Sequence, residues 1–468
     1  MRTKIIATLG PASQSYDVIR ALACEGVSAF RINMNYGGPD TWNAMIESVR
    51  KVEDECGRPL AIIGDLPGPQ VRVGKCRETQ LVDGSQVVLF FGEGSDVEGE
   101  IPVPVREFFE AAEAGDLVIV GDGEAVLRVV KRDENRLLAI ASGQGTLREG
   151  KRLVIRGKEV RLPSLTTRDV ELLKYLVARG ADYVALSYVR TREDVDSARG
   201  VIRRFGGKMG VIAKIETRSA VKGFNEIAEA SDAVLIARGD LGLFFDLEEL
   251  PALQSRLARQ AVLIGKPVIL ATQLLESMVE HPMPRRGEVI DVYSAVVDDL
   301  VDAVLLTSET AVGKYPLEVV RWLKRILARA ERDVKLWRVQ RLRRKMKIAS
   351  VKGKYALGLV SLAEGLGAKV LVFTKGGTLP PAISRLRPLS EVYVGSSRSM
   401  LRRLCIFYGL RVVEVGGPGE ELSYEDGIES LQQRLRRDGV LRVGDLVVKA
   451  FTKFPEEEHV VRIRRVME

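Results

Sequence analysis

The chain has 468 residues, 46% of them hydrophobic and 29% charged, with a formal net charge of +8. That length exceeds what one ordinary core organises, so two or three domains are expected. No apolar run reaches the roughly 18 residues of a membrane-spanning helix, and Met1-Arg2-Thr3-Lys4 leads into a strand and not a leader peptide, so a cytoplasmic protein without a membrane partner is expected.

The two histidines, His281 and His459, argue against imidazole bases or ligand clusters and favour lysine, carboxylate and hydroxyl chemistry. Cys24, Cys56, Cys76 and Cys405 lack CxxC spacing, which indicates neither a zinc site nor a disulfide framework. The positive charge suits anionic small molecules. The strongest basic run, residues 338–347, reads as a solvated helix face or linker and not as a nucleic-acid reading head, so no nucleic-acid partner is expected.

In chain order, short runs rich in β-branched residues recur at residues 4–8, 28–34, 60–65, 183–188, 210–215, 233–237, 267–272 and 303–307. Amphipathic segments of helical period, such as 18–25 and 250–264, lie between most of them. Eightfold strand–helix alternation predicts an α/β fold, a (β/α)8 TIM barrel whose site lies at the strands' C-terminal ends. Polar residues gather there: Arg31, Asn33, Asp65, Ser187, Lys214, Glu216, Asp240, Thr272, Thr307 and Glu309.

Residues 70–160 far exceed an ordinary βα loop, and their alternation and Gly/Asp turns predict an inserted small all-β lid domain. Beyond residue 331 the pattern restarts as a C-terminal α/β domain with the glycine loop Thr374-Lys375-Gly376-Gly377-Thr378, a candidate phosphate cradle. The expected division is 1–69 and 161–335 for the barrel, 70–160 for the lid and 336–468 for a regulatory domain.

Lys214, Glu216 and Asp240 end neighbouring strands, a pattern able to hold a divalent ion beside a phosphoryl group. Singly, each has a plainer reading: a rim salt bridge for Lys214 and Glu216, a helix N-cap for Asp240, a strand-end hydroxyl for Thr272. Their joint occurrence favours chemistry.

The motifs TKIIATLGPAS, FRINMNYGG, DLPGPQVRVG, LSYVR, IAKIET, IARGDLG, ATQLLESM and LLTSETAVGKYPLEVV together resemble the pyruvate kinase family over essentially the whole chain. The resemblance implies transfer of the phosphoryl group of phosphoenolpyruvate to ADP, giving ATP and pyruvate, in a homotetramer. It implies Mg²⁺ (or Mn²⁺) on Glu216 and Asp240, with Lys214 stabilising the phosphoryl group in flight. Gly239, Asp240, Thr272, Ser187 and Arg31 would bind substrate, and Thr272 and Thr307 would serve a proton relay. Arg31, Arg72, Asn33 and the lid lysine, read as Lys158, would meet the nucleotide. Asn33, Asn35, Asp65 and Leu66 stand where the family binds K⁺. Gln70 replaces the glutamate associated with K⁺ dependence, which implies a weak K⁺ requirement or none. Tyr36 and Pro67 replace a usual histidine and lysine, and Thr307 a usual serine. Thr374, Lys375, Gly377 and Thr378 would hold a phosphorylated effector.

Overall fold

In the computed structural model, which describes residues 1–467 except 122, 418–420, 455 and 456, eight parallel strands close into a barrel. They are Lys4–Leu9, Val27–Asn33, Ala61–Asp65, Tyr183–Leu186, Gly210–Ile215, Ala233–Ala237, Val268–Ala271 and Ala303–Leu306. Strand order follows the chain, and the eighth strand returns to the first, Ala303 pairing with Lys4. Five of the strands are buried along their whole length. Burial on both faces is why they read as unbroken apolar runs and not as alternating ones.

Alternate residues point into the barrel. Small and branched side chains fill it, among them Ile6, Ala29, Ala61, Ile63, Ala185, Ile212, Leu235 and Leu305, so the interior is a packed core and not a pore. The opposite parity packs on the helices, as with Phe30, Ile62, Val184 and Ile236. The second, fourth, seventh and eighth strands stop one or two residues before the expected ends. Tyr188 and Thr272 have φ of 56° and 69°, and this left-handed backbone takes the chain out of the ladder and into the rim.

Between the third strand and the helix Thr167–Ala178, the chain builds a six-stranded sheet with its own core around Val87, Leu89, Phe108, Val118, Leu127 and Ile155. Its strand order is Leu153–Ile155, Leu117–Val120, Ala125–Asp133, Arg136–Ser142, Gln86–Phe91 and Glu100–Val103. At the other end of the barrel lies a five-stranded sheet, ordered Leu410–Glu414, Val392–Ser396, Lys369–Phe373, Leu446–Lys453 and Glu458–Arg465, with only the last pair antiparallel.

The C-terminal part plugs the barrel floor. Cys405 and Ile406 join the interior core, and the Tyr183 hydroxyl donates to Arg403 O at 2.5 Å. The basic run is not simply solvated. It forms the helix Leu336–Lys345, in which Arg343 is buried and donates to both Glu364 oxygens at 2.7 Å and to Leu386 O at 2.7 Å. Arg387, 1% exposed, donates through both Nη atoms to Asp302 at 2.6 and 2.5 Å. Asp302 also accepts from the N–H groups of Val268 and Tyr408 at 2.9 and 3.1 Å. One carboxylate therefore ties the seventh strand to the C-terminal segment.

Removing one member of such a pair strands the other charge, which costs about 3–5 kcal/mol. Arg387→Met is expected to lose stability on that order, read as a lowered thermal unfolding midpoint. An unchanged midpoint would contradict the assigned role.

Candidate active site

The period of two places the chemistry. Ala29, Ile63, Ala185 and Ile212 face the barrel interior, so Arg31 and Asn33, Asp65, Ser187, and Lys214 and Glu216 continue those rows at the open end. Strand parity thus delivers two cations and two carboxylates to one small volume. Asp240 joins from the helix Arg238–Phe244, which follows the sixth strand directly.

The charges are paired closely. Asp65 Oδ2 accepts from Arg31 Nε at 2.6 Å, and its Oδ1 lies 3.3 Å from Lys214 Nζ. Lys214 Nζ also lies 2.8 Å from Glu216 Oε1 and donates to Ser187 Oγ at 2.7 Å. Glu216 Oε2 accepts from the Tyr188 N–H at 2.8 Å. Burial alone would lower the Lys214 ammonium, but Asp65, Glu216 and Asp240 outweigh it and hold the lysine above its ordinary value. Asp65, which burial would raise, is held below the usual carboxylate range by Arg31 and Lys214. Glu216 goes the other way: burial and the nearby Asp240 carboxylate raise it against the pull of Lys214. Repulsion between two such carboxylates is what a divalent cation relieves.

Among the described residues no group of three or more His, Cys, Asp or Glu side chains gathers as a ligand set. Two carboxylates nevertheless fit Mg²⁺, which keeps several waters and takes substrate oxygens for the rest of its octahedron.

These groups line a cleft of about 520 Å³ together with Asn33, Asn35, Leu66 and Arg72. Asn33 Oδ1 accepts from the Asn35 N–H at 3.1 Å, and Leu66 O accepts from Ser187 Oγ at 2.8 Å. Gln70 is bonded to Arg72, which also donates to Gly150 O at 2.5 Å. Gly68 (φ 67°) makes the turn between Leu66 and Gln70 close to Ser187; a Cβ there would lie 2.8 Å from Ser187 Cβ.

Thr272 and Thr307 stand at the rim beside this cleft and not in its lining. The Thr272 hydroxyl accepts from the Gly239 N–H at 2.8 Å and donates to Ala271 O at 2.7 Å. The Gly239 N–H, expected to face substrate, is thereby engaged. A β-branched residue at positive φ is strained by about 1–3 kcal/mol. Arg238 holds this turn, donating to Thr272 O at 2.7 Å and to Gln273 O at 2.8 Å. Thr307 donates to Glu309 Oε2 at 3.2 Å.

Lys158, read as the lysine that meets the nucleotide, is not among the residues lining the cleft. It lines an adjoining pocket that shares Gln70, Arg152 and Tyr188 with the cleft, and its ammonium is held by Glu113 at 2.5 Å and Asp116 at 2.8 Å within the insertion. The cations of the insertion that line the cleft are Arg72, Arg148, Lys151 and Arg152. Lys151 meets Glu124 at 2.5 Å, and Arg152 Nη1 meets Asp240 Oδ1 at 2.6 Å. The adjacent Lys151-Arg152 pair after a Gly turn is the sequence signal that marks them. Tyr188, whose hydroxyl accepts from Arg152 at 2.9 Å, carries no signal beyond its place after Ser187.

In the C-terminal part, Thr374 and Lys375 line a separate cavity of about 740 Å³ with Ser396, Ser397, Arg398 and Ser399. Gly377 and Thr378 are not among its lining residues. The Gly377 N–H instead donates to Thr374 Oγ1 at 2.9 Å, closing the loop on itself.

Residues 1–320 match the family model described as pyruvate kinase, barrel domain. A pyruvate kinase of Aeropyrum pernix is 38% identical over 465 residues, covering 99% of this chain and 98% of the relative. One from Pyrobaculum aerophilum is 38% identical over 436 residues, covering 92% and 91%. A crystal structure of pyruvate kinase from Pyrobaculum aerophilum superposes with a TM-score of 0.86 at 34% identity, covering 99% of each chain.

Gly68→Ala forces a side chain into left-handed backbone against Ser187, and is expected to cost about 1–3 kcal/mol of unfolding free energy. Denaturant titration measures it, and a loss within error of zero would contradict the packing described.

Proposed function

The chain belongs to the pyruvate kinase family, whose reaction carries the phosphoryl group of phosphoenolpyruvate to ADP to give ATP and pyruvate, and we propose that the residues of the barrel-rim cleft divide that work among themselves. The supporting observation is the placement of Lys214 Nζ within 3.3 Å of Asp65, Ser187 and Glu216, with Asp240 lining the same cleft.

Phosphoryl transfer asks a protein mainly for position and charge. Lys214 supplies a fixed ammonium for the charge that spreads over the phosphoryl oxygens. Asp65 and Glu216 keep it protonated, and Ser187 fixes its direction. Arg31, held by Asp65, and Arg72 offer guanidinium forks to phosphate oxygens, and Asn33 completes the nucleotide side. The family in general uses a divalent metal and K⁺. Glu216 and Asp240 would hold Mg²⁺ or Mn²⁺, which would supply Lewis-acid charge to the substrate. The backbone N–H groups of Gly239 and Asp240 and the Thr272 hydroxyl would bind the substrate carboxylate once that hydroxyl gives up its present bonds. Thr272 and Thr307 lie at the seventh and eighth strand ends, where a proton reaches the enolate carbon.

Asn33, Asn35, Asp65 and the Leu66 carbonyl form the monovalent-cation corner. Asp65 already faces two cations, Arg31 and Lys214, which leaves little uncompensated charge for K⁺ and supports a weak requirement. Residues 70–160 act as a lid over the barrel formed by 1–69 and 161–335. Residues 336–468 carry an allosteric phosphate site at Thr374 and Lys375, with the serines and Arg398 across the cavity in place of Gly377 and Thr378. A cytoplasmic homotetramer completes the reading. Among the described residues no helix is long and apolar enough to cross a membrane.

Incubation with phosphoenolpyruvate, ADP and Mg²⁺ is expected to yield pyruvate, with most turnover retained when K⁺ is replaced; no pyruvate in any salt would overturn the assignment. Lys214→Met is expected to lower turnover on the order of 10³-fold while Mn²⁺ still binds; near-normal turnover would refute its role. Thermal shift by sugar phosphates and nucleotides is expected to depend on Lys375, and equal shifts in wild type and Lys375→Ala would remove the effector site.

A further inference from the structure

Arg152 reaches out of the insertion onto the barrel rim. Its Nη1 lies 2.6 Å from Asp240 Oδ1 and donates to the Tyr188 hydroxyl at 2.9 Å, and its Nη2 lies 3.5 Å from Gly121 O. The two charged side chains are only 15% and 20% exposed, so water screens the pair weakly. Arg152 stands beside the lid sheet: it bridges to Arg72 and precedes the strand Leu153–Ile155. Tyr188 couples Glu216 and Asp240, its N–H on Glu216 Oε2 and its hydroxyl on the arginine that holds Asp240.

A guanidinium and a divalent cation are both positive, and Asp240 cannot hold both at contact distance without their repelling each other. We propose that Arg152 is a positioning residue that competes with the divalent cation for Asp240, so that cation binding requires the lid's grip on the barrel rim to be released. The inference rests on the reading that Glu216 and Asp240 hold the cation. It gives Arg152 two effects: it neutralises Asp240 and weakens divalent affinity, and it ties the lid to the rim.

The test is Mn²⁺ titration of the full chain without substrate, read by calorimetry and by the electron paramagnetic resonance of free Mn²⁺. Wild type, Arg152→Gln, Arg152→Lys and Asp240→Asn are compared. Arg152→Gln is expected to bind Mn²⁺ at least about tenfold more tightly than wild type, because like-charge juxtaposition is removed. Arg152→Lys keeps the charge and is expected to stay closer to wild type. A merely structural role predicts the opposite sign, since damage to the cleft loosens binding. Hydrogen exchange gives a second readout: Mn²⁺ is expected to raise exchange at residues 152–155 in wild type, and Arg152→Gln to show that raised exchange without Mn²⁺. Unchanged or weaker Mn²⁺ binding in Arg152→Gln, with binding lost in Asp240→Asn, overturns the inference and leaves the cation site standing. Wild-type binding in Asp240→Asn overturns the cation site itself, and the inference with it.

Discussion

The structure turns on how an ammonium is kept charged inside a barrel. Lys214 sits at the end of an interior row that begins with packed apolar residues, where desolvation favours the neutral amine. Asp65 on one side and Glu216 on the other reverse that preference. Neither carboxylate serves Lys214 alone: Asp65 also holds Arg31, and Glu216 also feels Asp240. The same contacts therefore fix the lysine's charge, orient an arginine and leave one carboxylate pair repelling itself at the mouth of the cleft. One arrangement thus sets cationic and anionic groups side by side at the mouth of one cleft.

The barrel makes this arrangement with short strands whose inward residues are mostly small or branched. Its two ends use similar chemistry for different purposes. At the floor, Arg387 and Asp302 form a bidentate pair, each side chain 2% exposed, and lock the C-terminal part in place. At the rim, Asp65 and Glu216 are as buried but Arg31 and Lys214 are partly exposed, and all four open onto a cleft. What separates the two sets of ion pairs is the space around them: one is sealed in the floor, the other opens onto a cleft.

Much of this was legible in the residues. The eight barrel strands were visible because burial on both faces forces continuous β-branched runs, and polar residues end them. The polar rim was visible because strand ends and interior parity are both set by local pattern. Contacts spanning the insertion were not visible. Arg152 and Asp240 are 88 residues apart, and no periodicity relates them. The ion pairs of Lys158 with Glu113 and Asp116 were not visible either, because they join residues more than 40 positions apart within the insertion. The basic run at 338–347 looked solvated, since composition does not reveal that Arg343 turns inward onto Glu364. Thr272 was read as a strand end, but its positive φ depends on carbonyl bonds from Arg238 that only the fold brings near.

The most direct measurement is the protonation of Lys214 itself. With ¹³Cε-lysine labelling and Lys214→Arg to assign the signal, the Lys214 resonance in the wild-type protein should show no titration step up to about pH 10, where an ordinary lysine has already begun to lose its proton. In Asp65→Asn, one of the two flanking charges is gone, burial regains weight, and the step should move to lower pH. A wild-type Lys214 that titrates well below the ordinary lysine value of 10.5, or one indifferent to Asp65→Asn, would contradict the account.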